Sequence, residues 1–137
     1  VRLLSRREHS CQELCRKLLA RDFDPDTIDA VVAELQADNL LSDERFAESY
    51  VRAKVAKGLG PVRLRRDLRE HRIDDDTIHR YLHERHWHTL AAQVRQKRFG
   101  PALPESFEER ARQMRFLQYR GFESEHINGA MKQDDWD

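Results

Sequence analysis

Apolar positions along this chain recur at helical spacing, and the pattern then recurs as a block. Leu14, Leu18, Phe23, Ile28 and Val32 align without a gap on Leu64, Leu68, Ile73, Ile78 and Leu82, an offset of 50. Leu117, Phe122, Ile127 and Met131 continue the series at a further offset of 49. At the centre of each copy is a helix start: Phe23-Asp24-Pro25-Asp26-Thr27-Ile28, Ile73-Asp74-Asp75-Asp76-Thr77-Ile78 and Phe122-Glu123-Ser124-Glu125-His126-Ile127. A large apolar residue precedes the cap and an isoleucine follows one turn in, so the two side chains can close a hydrophobic staple. Acidic first turns complement the positive helix end, and Pro25 suits a position whose N–H needs no partner. Each copy therefore reads as a basic helix, a tight turn and an acid-started helix. Such a pair carries one apolar stripe and cannot bury it alone, which predicts stacking of repeats.

The same spacing predicts the remaining elements. Helices are expected over 6–21 and 25–38. A third starts at the N-cap Ser42, turns Phe46, Ala47, Tyr50 and Val51 inward as far as Val55, and is closed by Gly58. The next covers 61–72, with Leu64 and Leu68 inside. A fifth spans 75–86. A sixth is continued by Trp87, Leu90, Ala91 and Val94, runs to Phe99 and stops at Gly100-Pro101. Residues 101–104 read as a linker. In the last repeat Met114 and Leu117 face inward, and Gly121 supplies the left-handed turn before Phe122. The predicted fold is all-α: a tandem array of three three-helix repeats in a curved, elongated, solenoid-like molecule. The expected boundaries are 1–57, 58–100 and 101–137, with little chain left for a third helix in the last unit. The tail Asp134-Asp135-Trp136-Asp137 is expected to fray, and the first residue, Val1, is consistent with a native start upstream.

With 39% hydrophobic and 36% charged residues the 137-residue chain is highly charged, and its formal net charge is zero. That balance conceals an alternation of sign along the chain. Residues 51–72 hold eight basic and two acidic side chains, a net +6. Arg63, Arg66 and Arg69 recur there at i, i+3 and i+6, with Arg65 on the flank and Lys54 and Lys57 just upstream. In the last repeat Arg112, Arg115, Phe116 and Tyr119 fall opposite the inner stripe, a basic and aromatic mixture that suits stacking on single-stranded bases or anchoring in a protein partner. Packing on the preceding repeat is the structural alternative for Phe116 and Tyr119. The longest apolar run, Ala30-Val31-Val32-Ala33, is far too short to cross a membrane.

Candidate chemistry adds little. Cys11 and Cys15 sit at i, i+4 on one stripe, too far apart for a relaxed disulfide, and read as reduced packing thiols; a metal clip with His9 is the sharper alternative. His79, His83 and His86 share a side if the fifth helix runs to 86. That geometry could take a metal, but a solvated face is the preferred reading. Asp74-Asp75-Asp76 starts a helix. Gly58-Leu59-Gly60-Pro61 lacks the residues of a nucleotide loop. No catalytic residue, metal site or cofactor is expected.

The assembled residues resemble the RecX family of bacterial regulatory proteins. The resemblance rests on Leu41-Ser42-Asp43-Glu44-Arg45-Phe46-Ala47-Glu48-Ser49-Tyr50-Val51, then Gly58-Leu59-Gly60-Pro61 with Leu64, Leu68 and Ile73. It continues in Lys97-Arg98-Phe99-Gly100 and in Arg115-Phe116-Leu117 with Arg120-Gly121-Phe122, and so covers nearly the whole chain. It implies a non-enzymatic protein; the reduced thiols point to the cytoplasm, and a monomer is expected. Such a protein binds the RecA filament, with single- or double-stranded DNA inside it, and restrains its recombinase, ATPase and co-protease activities in DNA repair, recombination and the SOS response. The other reading is a free-standing helical DNA-binding module; its Arg-rich helix favours phosphate over base contacts. Arg72 stands where the family usually has glycine before the staple residue, so that turn has to be made differently or at some cost. From charge and helix faces, the expected contact residues are Lys54, Lys57, Arg63, Arg65, Arg66, Arg69, Arg112, Arg115, Phe116 and Tyr119.

Overall fold

The computed structural model describes residues 3–4 and 7–132. These form eight helices: α1 (Cys11–Ala20), α2 (Pro25–Ala37), α3 (Asp43–Ala56), α4 (Pro61–Glu70), α5 (Asp75–His83), α6 (Trp87–Phe99), α7 (Phe107–Tyr119) and α8 (Ser124–Ala130). No strand occurs among the described residues, and the expected all-α class is the observed one. The tail 134–137 lies outside the described residues. No helix among them is long and apolar enough to cross a membrane.

One turn geometry ends five of the helices. The amide two residues past the cap reaches back to a carbonyl five residues earlier: Phe23 to Leu18 (3.2 Å), Leu40 to Leu35 (2.9 Å), Leu59 to Lys54 (3.1 Å), Ile73 to Leu68 (3.1 Å) and Phe122 to Leu117 (3.2 Å). The residue before each of these amides is left-handed, with φ of 64° at Asp22, 59° at Asn39, 86° at Gly58, 57° at Arg72 and 98° at Gly121. This is the Schellman ending, and it occupies the same place in all three copies of the repeat. Arg72 takes the same conformation that glycine would, at a cost of about 1–2 kcal/mol from its Cβ.

Side-chain caps then restart the chain. Asp24 and Asp74 accept the backbone N–H groups of Thr27 and Thr77 at 3.4 and 2.8 Å, and Ser42 accepts from Arg45 at 3.2 Å. Ser10 accepts from Glu13 at 3.0 Å, so α1 begins at Cys11 and not at the expected position 6. Helices α4 and α5 also stop earlier than their periodicity suggests, at Glu70 and His83. Ile28, Ile78 and Ile127 are all buried, as are Ile73 and Phe122, but Phe23 is 49% exposed, so the staple of the first copy stays half open.

The described chain divides into two compact units, Val1–Arg52 with Asp67–Tyr81 and Ala53–Arg66 with Leu82–Asp137. The first buries Leu14, Ile28, Leu41, Phe46, Val51, Leu68 and Ile78. His71 lies against Phe46 (centroids 4.9 Å apart) and Tyr50 (5.8 Å), and the Tyr50 hydroxyl donates to Asp67 at 2.9 Å. Cys11 and Cys15 are free, half-buried thiols, and burial pushes the Cys11 thiol up to about 12. The Cys11 sulfur accepts from the Gln36 amide at 3.0 Å. The second unit buries Leu64, Leu82, Trp87, Ala91, Leu117, Phe122, Ile127 and Met131, and the Trp87 indole donates to the Leu82 carbonyl at 2.9 Å.

Each unit contains one buried histidine that must stay neutral. His9 accepts from Lys17 at 2.9 Å through Nε2, leaving its Nδ1–H for the Arg7 carbonyl at 3.1 Å. His126 accepts the Glu123 backbone N–H through Nδ1 at 3.3 Å and so closes the start of α8. Burial lowers both pKa values below the ordinary 6.5. A histidine whose folded pKa is depressed contributes stability above its unfolded pKa and loses it as pH falls through that value toward the folded one. Melting temperature should therefore drop between about pH 7 and pH 5. A His126→Asn variant, whose amide oxygen can still accept the Glu123 N–H, should show a shallower drop; an unchanged pH profile would remove His126 from the account.

Candidate functional site

In the second unit the end of α3, the outer side of α6 and the end of α7 enclose a pocket of about 410 Å³. The Schellman turn after α3 positions Lys57 and Gly58 at its edge. Gly58 is close-fitted there, since a Cβ on it would lie 3.3 Å from a Val94 methyl group. Val55, Leu90 and Val94 form an apolar wall. Lys57, Lys97, Arg98 and Arg120 add four cations, and none of the described lining residues is acidic.

An aromatic ring braces two of these cations, Arg98 and Arg120. Phe116 packs edge-on against Phe99, with centroids 5.3 Å apart and planes at 87°. The guanidinium groups of Arg98 and Arg120 lie 5.4 and 5.2 Å from the Phe116 centroid, and that of Arg112 lies 5.3 Å from the Phe99 centroid. Such contacts are worth about 0.5–1 kcal/mol each where exposed and restrict long side chains that would otherwise be mobile. Arg120 also donates to the Lys57 carbonyl at 3.2 Å, which ties α7 to the turn after α3. That bond uses one of its five N–H donors.

The structure divides the expected contact residues. Lys57 and Phe116 line the pocket, and Arg112 lies over Phe99, the ring that packs on Phe116. Phe116 packs on the preceding helix, whereas Tyr119 is 79% exposed. Arg115 and Arg66 are exposed; Lys54 is half-buried. Arg63 was expected on an open face but is half-buried, because the backbone of Gly121 is laid against the first turn of α4. Arg65 pairs with Glu123 at 3.4 Å, and in the first unit Arg69 pairs with Asp75 at 3.1 Å. The expected contact residues do not include Lys97, Arg98 and Arg120, although both segments, Lys97-Arg98-Phe99-Gly100 and Arg120-Gly121-Phe122, place a cation near an aromatic residue and a glycine.

The histidine side expected on the fifth helix does not form as drawn, since α5 ends at His83 and His86 stands in the cap position of α6. The potential metal ligands that come together among the described residues are Glu123, Glu125 and His126. Two of these already have structural roles, Glu123 toward Arg65 and His126 in the α8 cap.

Sequence models of the first, second and third three-helix domains of RecX match residues 1–35, 42–82 and 88–131. The chain is 40% identical to the regulatory protein RecX of Halorhodospira halophila over 139 residues, covering 100% of this chain and 86% of that one. It is 42% identical to the protein of the same name from Pseudomonas savastanoi pv. phaseolicola over 122 residues, 88% of this chain and 79% of that one. The crystal structure of RecX from Lactobacillus salivarius has the same fold, with a TM-score of 0.77 at 22% identity over 94% of this chain and 87% of that one. Another crystal structure of regulatory protein RecX gives 0.77 at 23% identity, over 92% of this chain and 64% of that one. These relatives bear the name of regulatory proteins and not of enzymes. With an all-α fold, relatives at 40 and 42% identity and three successive domain matches along its length, the chain belongs to the RecX family.

Proposed function

We propose that this protein acts in the cytoplasm as a monomer that binds the RecA recombinase filament and restrains its recombinase, ATPase and co-protease activities, and so tunes DNA repair and recombination. It acts by altering filament growth and not by chemistry of its own. The observation that supports this most is the run of three RecX domain matches along the chain, joined to relatives named regulatory proteins. The proposed contact residues are Arg69 on the first unit and, on the second, Lys57, Arg66, Arg112, Arg115 and Tyr119 with the pocket edge. Arg63 and Arg65 act mainly in packing α4 and pairing with Glu123.

A pull-down with RecA, with and without single-stranded DNA, tests the reading. Capture of RecA filaments supports it; capture of DNA alone would make this a free-standing DNA-binding module. An Arg66→Ala/Arg69→Ala variant should stay folded, because both side chains are exposed and the Arg69–Asp75 pair is a surface one of small worth. It should inhibit RecA less. The salt dependence of its binding should also fall by about 0.7 log units per log unit of salt for each single-strand phosphate that the variant no longer neutralises. Wild-type inhibition and salt dependence in a folded variant would take these two residues off the surface.

A further inference from the structure

We propose that the pocket between α3, α6 and α7 is a one-nucleotide site, which takes an unpaired base against its apolar wall and the neighbouring phosphates on its cations. The inference deepens the reading above by naming what part of a DNA strand is held, but its test needs no RecA. At about 410 Å³ the pocket lies at the small end of the range for ligand sites, about 300–1,000 Å³. Within it, Val55, Leu90 and Val94 offer apolar contact, and cations reach it from three separate segments: Lys57 after α3, Lys97 and Arg98 on α6, and Arg120 after α7.

A ligand has to match both halves. Four cations with no acidic lining residue demand an anion; Val55 with half-buried Leu90 and Val94 on α6 demands an apolar surface. One nucleotide of a single strand supplies both in a single repeating unit, a flat ring with a phosphate on either side. A duplex does not, because its base faces are covered by their neighbours. An acidic peptide would need two carboxylates disposed around an apolar side chain, a match to a particular sequence and not to a uniform polymer. Arg98 and Arg120 are already braced on Phe116, so less side-chain freedom remains to be lost when they meet phosphate.

The test is fluorescence anisotropy with a labelled eight-nucleotide oligothymidylate, the same oligomer made abasic throughout, its duplex with oligoadenylate, and polyglutamate as competitor. The expected order is single strand tightest, with the abasic strand weaker by about tenfold, the scale of removing one base from an apolar wall. The duplex should also bind less tightly than the single strand. A Lys57→Glu/Lys97→Glu variant, altered at two exposed positions and checked for an unchanged melt, should bind the single strand at least tenfold more weakly. Equal affinity for the abasic strand would overturn the proposal and leave a plain phosphate surface. Displacement of the oligothymidylate by polyglutamate at the same charge concentration would overturn it in favour of an acidic peptide. A variant with unaltered DNA affinity, or a wild type that binds no oligothymidylate, would likewise overturn it, and either result would leave the RecA pull-down to stand or fall separately.

Discussion

Gly121→Ala should abolish the stable fold of the second unit, or lower its stability by about 3–6 kcal/mol, while Gly100→Ala should cost only the conformational penalty of about 1–3 kcal/mol. Both glycines have positive φ, 98° and 90°, and Gly100 combines it with a ψ of 171°, a region essentially confined to glycine, so both substitutions incur a conformational penalty of about 1–3 kcal/mol. Their surroundings differ. A Cβ at Gly100 meets nothing within 4 Å, whereas one at Gly121 would lie 2.5 Å from Arg63 Cβ and 2.8 Å from the Arg63 backbone nitrogen. Neither of those atoms can swing away. Two backbone bonds are made at this approach, from the Gly60 N–H to the Arg120 carbonyl and from the Val62 N–H to the Gly121 carbonyl, both 2.8 Å. Separating the segments would sacrifice bonds worth about 0.5–1.5 kcal/mol each, on top of an overpacking cost of about 1–3 kcal/mol. Gly60→Ala should behave like Gly121→Ala without the φ penalty, since its Cβ would fall 2.6 Å from the Gly121 carbonyl carbon and oxygen. Urea melts of the three variants check this. Equal losses at Gly100 and Gly121 would show that conformation alone, and not the close approach, sets the cost.

Arg95→Ala should destabilise the second unit by about 3 kcal/mol or more, and Arg95→Lys should recover little of that. Arg95 is only 2% exposed, and its guanidinium is spent on neutral acceptors. Nε donates to the Ala130 carbonyl at 3.1 Å, Nη1 to the Ala102 carbonyl and the Gln113 side-chain oxygen at 3.3 and 3.4 Å, and Nη2 to the Pro101 carbonyl at 3.3 Å. One side chain thus ties the 101–102 segment, α7 and the end of α8 to α6. Its burial also lowers its pKa from the ordinary value, a sign of the desolvation that these bonds offset. Hydrogen bonds to a charged donor are worth about 1.5–3 kcal/mol each, and truncation would leave several acceptors short of a partner together with a cavity. A lysine has one nitrogen and cannot spread over the fork that the guanidinium reaches. Thermal melts of both variants decide the point, and a loss under about 0.5 kcal/mol in each would show that the bonds contribute nothing net.

The helices, their order and the repeat were determined by the sequence, because those features are local. Ile28, Ile78 and Ile127 are buried at equivalent positions since each sits one turn inside a capped helix start, and the cap residues are adjacent in the chain. The left-handed residue before each copy's second helix follows from the same local logic. Its adoption by Arg72 shows that the surrounding turn dictates the backbone even where the residue is a poor fit.

What the tertiary structure alone decided is where the polar residues go. The stripe that is buried on α6 runs Trp87, Ala91, Arg95, and Leu90 and Val94 are left to line a pocket. An arginine carries no sign in the sequence that four oxygens from three separate segments will gather around it. Likewise Arg63 looks as exposed as Arg66 until the backbone of Gly121, 58 residues later in the sequence, is set against it. The cations of the candidate site, Lys57, Lys97, Arg98 and Arg120, come from three segments that only long-range packing joins. Local sequence specifies backbone conformation because its determinants are neighbours along the chain; a site built from distant segments depends on which carbonyls, rings and charges the folded chain brings within a few ångströms.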